Sequence, residues 1–321
     1  MQSKRKKRLV TALYLAAVML IVLTLGLLQA FCPLRTLVPA YVLPARAEGE
    51  MRLHFLDVGQ ADCTLVEFPD GDVLVIDGGD GSFYGKTKVA RYLKGLAPTA
   101  VSLLLTHADI DHYGGFTQLF DMFDIKTLYL PAVPSENAAY KRLLERAQEA
   151  NCAMQPLSRY GVISRPSGAY VNCISPYSAG ETDENDASAV LWISYGGVNA
   201  LLCGDISASR EERLMTEYSF DETLFDKQGF PVRLPQTHIL KVAHHGAKTS
   251  SSKQWLSFLG AEKAIVSCGR GNAYSHPAEE TLNNLSVAGC EIYRTDELGD
   301  ITISVYNGGY AVQTNLSESH A

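Results

Sequence analysis

Several common enzyme signatures are missing from this chain of 321 residues. It has no G-x-S-x-G run, no P-loop and no dinucleotide fingerprint, which sets aside a serine-nucleophile elbow, a nucleotide-phosphate cradle and a Rossmann cofactor site. Its seven cysteines (Cys32, Cys63, Cys152, Cys173, Cys203, Cys268, Cys290) form no C-x-x-C pair. Cys203 and Cys268 close apolar, strand-like runs, where a small buried hydrophobe is the expected role. Short internal repeats and low-complexity tracts are also absent. With 46% hydrophobic and 20% charged residues, the composition is that of a globular protein.

Charge of one sign is missing in two places. Residues 1–47 contain no Asp or Glu but hold seven of the 28 Lys/Arg, so the remaining 21 face all 35 acidic residues and leave 48–321 at −14. So acidic a domain offers no long nucleic-acid track, because phosphate contacts supply most non-specific affinity. A metal site within it can still admit a few nucleotides, since bound cations change the local sign.

Leu9–Leu28 carries no charge at all, over about the length a helix needs to cross a bilayer. Lys4-Arg-Lys-Lys-Arg8 directly before it predicts a cytoplasmic N-terminus and a single-pass membrane protein with its domain on the outer side. The alternative is a signal peptide cleaved after Ala45-Arg46-Ala47, giving a secreted product. Both export the domain. The expected organisation is a basic tip and anchor (or signal) over 1–30, a linker over 31–50 with Pro33, Pro39 and Pro44, and one domain over 51–315.

Within that domain, apolar runs and turn residues predict strands at 52–58, 64–68, 73–77, 101–105, 126–130, 169–175, 189–194, 198–203, 237–243 and 263–267, with three more near 290–294, 300–306 and 310–314. Helices are predicted at 84–97, 116–123, 136–150, 208–217, 252–259 and 277–287, and a Pro- and Phe-containing insertion at 218–235. Strands and helices mixed through both halves imply an α/β layered sandwich.

The strongest chemical signal is Thr106-His-Ala-Asp-Ile-Asp-His112-Tyr-Gly-Gly115. His107, Asp109, Asp111 and His112 are four potential metal ligands directly after a buried strand, closed by glycines that allow a tight turn into the next helix. Imidazole nitrogen and carboxylate oxygen are the donors of hydrolytic zinc or manganese sites.

This run resembles the H-x-[HD]-x-D-H signature of the metallo-β-lactamase superfamily, in the variant of ComEC-type competence hydrolase domains. Other blocks match that branch in order: Leu56-Asp-Val-Gly-Gln-Ala-Asp62, Asp77-Gly-Gly79, Asn185-Asp-Ala-Ser188, Leu202-Cys-Gly-Asp205-Ile and Lys241-Val-Ala-His244-His-Gly-Ala-Lys-Thr-Ser250, then Tyr274-Ser-His276-Pro and Tyr293-Arg-Thr-Asp296. The resemblance covers about residues 51–306 and implies a four-layer αββα sandwich with two divalent metal ions, Zn or Mn, between the sheet edges. It implies that His107 and Asp109 bind a first metal, Asp111 and His112 a second, and that Asp205 bridges both. No histidine stands where many relatives supply a further ligand; Asn185–Ser188 is there instead, so the first site is expected to be harder and richer in oxygen.

His244 and His245 would point to opposite sides in an extended segment, one binding metal and the other serving as acid or substrate contact; the metal is assigned to His244. His276, before Pro277, is a candidate ligand or proton donor, and Asp77 a residue that orients a ligand. Lys248, Thr249 and Ser250 either receive a phosphate oxygen or cap a helix. His54 and His238 are expected to be structural. The implied chemistry is phosphoester hydrolysis by metal-activated water, with Asp111, His245 and His276 as catalytic groups and single-stranded DNA as the first substrate class. The alternatives are a surface phosphodiesterase acting on a small or cell-wall phosphoester such as phosphorylcholine, and a non-catalytic binding module that retains the fold.

Overall fold

In a computed structural model, the structure describes residues 11, 13–22, 24, 39–175, 185–220, 229–306 and 308–315. The chain divides into two units, Met1–Tyr41 and Val42–Ala321. In the first, residues 11, 13–22 and 24 are helical. The Lys4–Arg8 cluster, both ends of Leu9–Leu28, Cys32, part of the insertion and His320 lie outside the described residues. Among the described residues, no helix is long and apolar enough to cross a membrane.

The second unit is built on strands β1 (Met51–Phe55), β2 (Thr64–Glu67), β3 (Val73–Ile76), β4 (Val101–Leu104), β5 (Ile125–Leu130), β6 (Ala153–Pro156), β7 (Val162–Ser164) and β8 (Tyr170–Cys173). Its later strands are β9 (Leu191–Tyr195), β10 (Val198–Leu202), β11 (Ile239–Lys241), β12 (Lys263–Val266), β13 (Glu291–Arg294), β14 (Asp300–Tyr306) and β15 (Gly309–Asn315). They form an eight-stranded sheet, β15-β14-β1-β2-β3-β4-β5-β6, and a seven-stranded sheet, β13-β12-β11-β10-β9-β8-β7. The β3–β6 and β10–β13 stretches are parallel. The expected mixed α/β fold with two sheets is what the chain forms.

Alternation along the strands decides the layers. Ile239 and Leu240 are neighbours on β11, so they face opposite ways. Ile239 joins Leu53, Phe55, Val66, Leu191 and Ile265 in a core between the sheets. Leu240 joins Trp192, Leu201 and Val266 in a second core, against helices α5 (Ala208–Phe220), α6 (Lys253–Leu259) and α7 (Glu279–Val287) through Leu214, Trp255, Leu256 and Leu285. Trp255 is among the largest fully buried side chains there, and truncating such a residue costs about 3–5 kcal/mol.

On the first sheet, His54 points away from the Leu53/Phe55 side. Its Nδ1 lies 3.1 Å from the Tyr92 hydroxyl of helix α1 (Phe83–Leu96), and its Nε2 lies 3.2 Å from Glu67 Oε2. This contact puts a helix on the outer face of that sheet and gives His54 the structural role expected of it. Helix starts follow capping rules: Ser82 Oγ accepts from Gly85 N and Ser252 Oγ from Trp255 N.

Predicted element ends fall within about three residues of the observed ones. Among the described residues, the strands and α-helices that escape the sequence patterns are β6, β7 and the four-residue helices α2 (Ile110–Tyr113) and α8 (Thr295–Leu298). Every residue of β6 is exposed, so burial imposes no alternation on it. The remaining helices are α3 (Phe116–Met122) and α4 (Ala138–Glu149).

Candidate metal centre

The candidate ligands come from the carboxyl ends of strands in the parallel stretches of both sheets, where open α/β sheets commonly place their sites. Asp77 follows β3, His107 follows β4, Asp205 follows β10 and the His244–His245 pair follows β11. Glycines let the loops close on one another. A Cβ on Gly115 would lie 2.1 Å from the Gly78 carbonyl, and one on Gly78 would lie 2.5 Å from the Phe116 ring. His112 O accepts from Gly78 N, and Asp111 O accepts from Asp62 N, tying the motif helix to its neighbours.

Among the described residues three groups have donor atoms within 4.8 Å of one another: His107, His112 and Asp205; Asp111, His112 and His245; and Asp62, Asp77 and His112. His107 Nε2, His112 Nε2 and Asp205 Oδ1 are buried with no hydrogen-bond partner. Such atoms are costly to bury unless something ligates them, so these residues fit a divalent metal. Asp77 Oδ2 lies 2.8 Å from His112 Nδ1, which sends the proton to Nδ1 and leaves Nε2 with its lone pair toward the site. Thr106 holds Asp77 in turn, through N at 2.9 Å and Oγ1 at 2.8 Å.

Burial, with His112 beside it, pushes His107 down to about 3, so its ring is neutral. Burial also lowers His112 and His245, but Asp205 and Asp77 outweigh it and raise His112, and Asp62 and Asp205 raise His245 to about 10, so a metal at Nε2 of either ring would take the place of a proton. Burial pushes the Asp205 carboxyl up, but the charged His112 and His245 rings outweigh it and hold Asp205 well below the usual carboxylate range.

Asp109 and His244 sit further out. Asp109 is 45% exposed with Oδ2 3.7 Å from His107 Nε2. His244 is 28% exposed, its Nε2 3.8 Å from Asp205 Oδ2, whereas His245 is 3% exposed with Nε2 3.3 Å from Asp111 Oδ2. The segment carrying the pair is not extended, contrary to the expectation from its sequence. His244 and His245 both adopt left-handed backbone, φ 51° and 54°, a conformation that costs about 1–2 kcal/mol per residue outside glycine. The turn drives His245 inward, where Ser267 O accepts from Nδ1 at 3.0 Å. The geometry therefore favours the metal-facing role for His245 over His244.

An open cavity of about 450 Å³ lies over the cluster, lined by Asp109, Asp111, Asp205, His244, His245 and His276, with Gln60, Asp80, Ile110 and Tyr274. Ser250 points away from it, with its hydroxyl donating to Ala243 O and Ala247 O. Asn185–Ser188 supplies support: Ser188 Oγ accepts from Asp205 N, and Asp186 Oδ1 from Ser207 N.

Sequence reasoning missed Gln60, Asp62 and Lys241. Lys241 pairs with Asp62 beneath the cluster, both nearly fully buried, and Asp62 Oδ1 lies 3.4 Å from His245 Nδ1. The available signal was a lysine in an otherwise apolar strand, since a buried charge requires a partner. Gln60 reaches His276 through Nε2, 3.5 Å from Nδ1.

A metallo-beta-lactamase superfamily profile matches residues 56–139. The chain is 28% identical to ComE operon protein 3 of Bacillus subtilis over 272 residues, 79% of this chain and 33% of that protein. It is 28% identical to Competence protein ComA of Neisseria gonorrhoeae over 282 residues, 85% of this chain and 35% of the relative. The chain thus spans about a third of the length of these curated relatives. Similar solved structures include Igni18, a metallo hydrolase from Ignicoccus hospitalis (15% identity, TM-score 0.49, 82% of this chain and 98% of that one). Another is Zn(2+)-bound PqqB from Methylobacterium extorquens (12%, TM-score 0.45, 78% and 99%). Residues 56–139 thus carry the metallo-β-lactamase superfamily match, and the chain is a mixed α/β fold of two sheets with candidate metal-binding residues that is similar to competence proteins.

Proposed function

We propose that this chain is a membrane-anchored, extracytoplasmic, metal-dependent phosphodiesterase of the nuclease kind, acting on short stretches of single-stranded DNA. The observation that carries the reading is the set of partnerless buried donors, His107 Nε2, His112 Nε2 and Asp205 Oδ1, under an open cavity. Two divalent ions, Zn or Mn, are held by His107, Asp109, Asp111, His112, Asp205 and His245. When bound, such ions lower the pKa of water towards about 7, polarise a phosphoryl oxygen and neutralise developing charge. Asp205 belongs to the His107–His112 group and also approaches His245, its Oδ2 3.5 Å from His112 Nε2 and 3.8 Å from His245 Nε2, which suits a carboxylate shared by two ions. His276 takes the proton-donor role. Gln60 Nε2 donates to its Nδ1, so the neutral ring carries its proton on Nε2, from where it hydrogen-bonds to a leaving oxygen, and it gives up a proton only after taking a second one from solvent.

The Lys4–Arg8 cluster before Leu9–Leu28 supports anchoring. Retention of the segment is supported by Arg46, whose Nε lies 3.1 Å from Glu67 Oε1, and by Ala47 N, which donates to Glu50 Oε2. The net charge of −14 over 48–321 favours a second reading, a phosphodiesterase on a small surface phosphoester such as phosphorylcholine.

The test is metal analysis of the purified chain, followed by turnover on a single-stranded oligodeoxynucleotide, a double-stranded one and a phosphorylcholine ester. Bound metal and preferential cleavage of the single strand are expected. Cleavage of the phosphorylcholine ester alone would select the second reading, and no metal after reconstitution would end both.

A further inference from the structure

Tyr274 is 71% exposed and yet lines the same cavity as Asp111, Asp205 and His276. Its ring lies almost parallel to that of His276, with centroids 5.7 Å apart and planes at 27°. His276 is met edge-on by His244, with centroids at 5.9 Å and planes at 77°. Tyrosine is therefore the outermost member of a stack that begins at the metal-binding cluster.

The stack is held from behind. Asn272 Oδ1 accepts from both Tyr274 N (3.1 Å) and His276 N (3.0 Å), and its Nδ2 donates to Gly269 O (2.8 Å) and His276 O (2.5 Å). A loop fixed this way gives up little conformational freedom when a ligand settles on it. The site already described accounts for the floor of the cavity and for His276, but it leaves the tyrosine ring without a task. A substrate bound through its phosphate at the cluster carries its next substituent toward the wall, and a flat π-face there suits another flat ring.

We propose that Tyr274 is the stacking platform for the nucleobase beside the hydrolysed phosphodiester, and so a specificity-determining residue that selects substrates bearing a flat heteroaromatic ring. The proposal rests on the phosphodiesterase reading and narrows its substrate class. Stacking asks for a π-face rather than a hydrogen-bond pattern, so the platform selects for a base without selecting which base.

The experiment compares a thymidine dinucleotide with its abasic analogue on the full metal-loaded chain, for wild type, Tyr274→Ala and Tyr274→Trp. Hydrolysis is followed directly, and binding is followed by calorimetry with slowly hydrolysed phosphorothioate versions. Tyr274→Ala is expected to lower affinity and kcat/KM for the thymidine dinucleotide by roughly 5- to 100-fold, the range of one base–aromatic stack. It should leave the abasic analogue within about twofold, and Tyr274→Trp should restore the difference. Equal loss on both substrates, or loss on neither, overturns the proposal. If the wild type hydrolyses neither, the phosphodiesterase reading fails, and calorimetry still decides: a Tyr274-dependent preference for the thymidine dinucleotide upholds the platform and its absence overturns it. Weakening of phosphorylcholine binding alone overturns it in favour of a quaternary-ammonium site.

Discussion

Asp77 Oδ2 lies 2.8 Å from Nδ1 of His112, at the end of a strand where Asp77 itself takes a left-handed backbone, φ 57°. The carboxylate contributes no ligand atom to the His107–His112–Asp205 group, yet it decides which nitrogen of His112 is available.

Asp77→Asn tests that relationship. An amide NH₂ facing Nδ1 favours the tautomer protonated on Nε2, which cannot ligate. Metal affinity should fall about 10- to 100-fold with the circular dichroism spectrum unchanged. Unchanged affinity in a competition titration against a chelator would remove Asp77 from the site.

The histidine pair separates by metal content. His245→Ala is expected to lose bound metal, since its Nε2 lies 3.3 Å from Asp111 Oδ2, whereas His244→Ala should keep most of it. Elemental analysis of both variants side by side checks this, and the reverse result returns the ligand role to His244.

Beneath the site, Lys241 and Asp62 neutralise each other out of water. Among the described residues, Lys241→Met leaves the buried Asp62 carboxylate with only His245 beside it as an ion-pair partner, and should cost up to about 3–5 kcal/mol in urea denaturation. The double variant Lys241→Met/Asp62→Leu should recover more than half of that loss. A double variant no more stable than the single one would show that the pair is not the main partner of either charge.

Glu211 offers a pH test away from the metal. It accepts from Ser251 N (2.5 Å) and Ser252 N (2.9 Å), but burial dominates and raises its carboxyl from the usual 4.5 to about 7. The folded state thus binds the proton more tightly than the unfolded one. The resulting stability is full below pH 4.5 and is lost as pH rises through about 7, a change on the order of 3 kcal/mol. Glu211→Gln should flatten that slope when denaturation midpoints of both proteins are compared from pH 5 to 8.5. Parallel slopes would count against a raised Glu211.

For the proposed topology, in which the Lys4–Arg8 cluster would keep the N-terminus inside, protease added to intact cells should digest the 42–321 unit. Protection until the cells are lysed would contradict it.

The sequence by itself determined the composition of the site. His107, Asp111 and His112 fall within six residues of one another, directly after a largely apolar strand, so the candidate ligands and their place in the chain were readable locally. It also determined the strands that face a core, because burial on one or both faces writes a pattern into the residues. Strand β6, exposed throughout, had no such pattern to leave. Only the tertiary structure decided what depends on distant segments and on backbone twist. The pair His244–His245 reads as extended, and its two left-handed residues choose which ring turns inward. Asp62 and Lys241 stand 179 positions apart and meet only when the two sheets bring their strand ends together. Tyr274 differs from any surface tyrosine only because a folded loop stacks it on His276 beside the cavity. The local sequence sets which groups are present; packing of remote strands sets which of them share one dry space, and in that space a buried polar atom without a hydrogen-bond partner marks where a metal would fit.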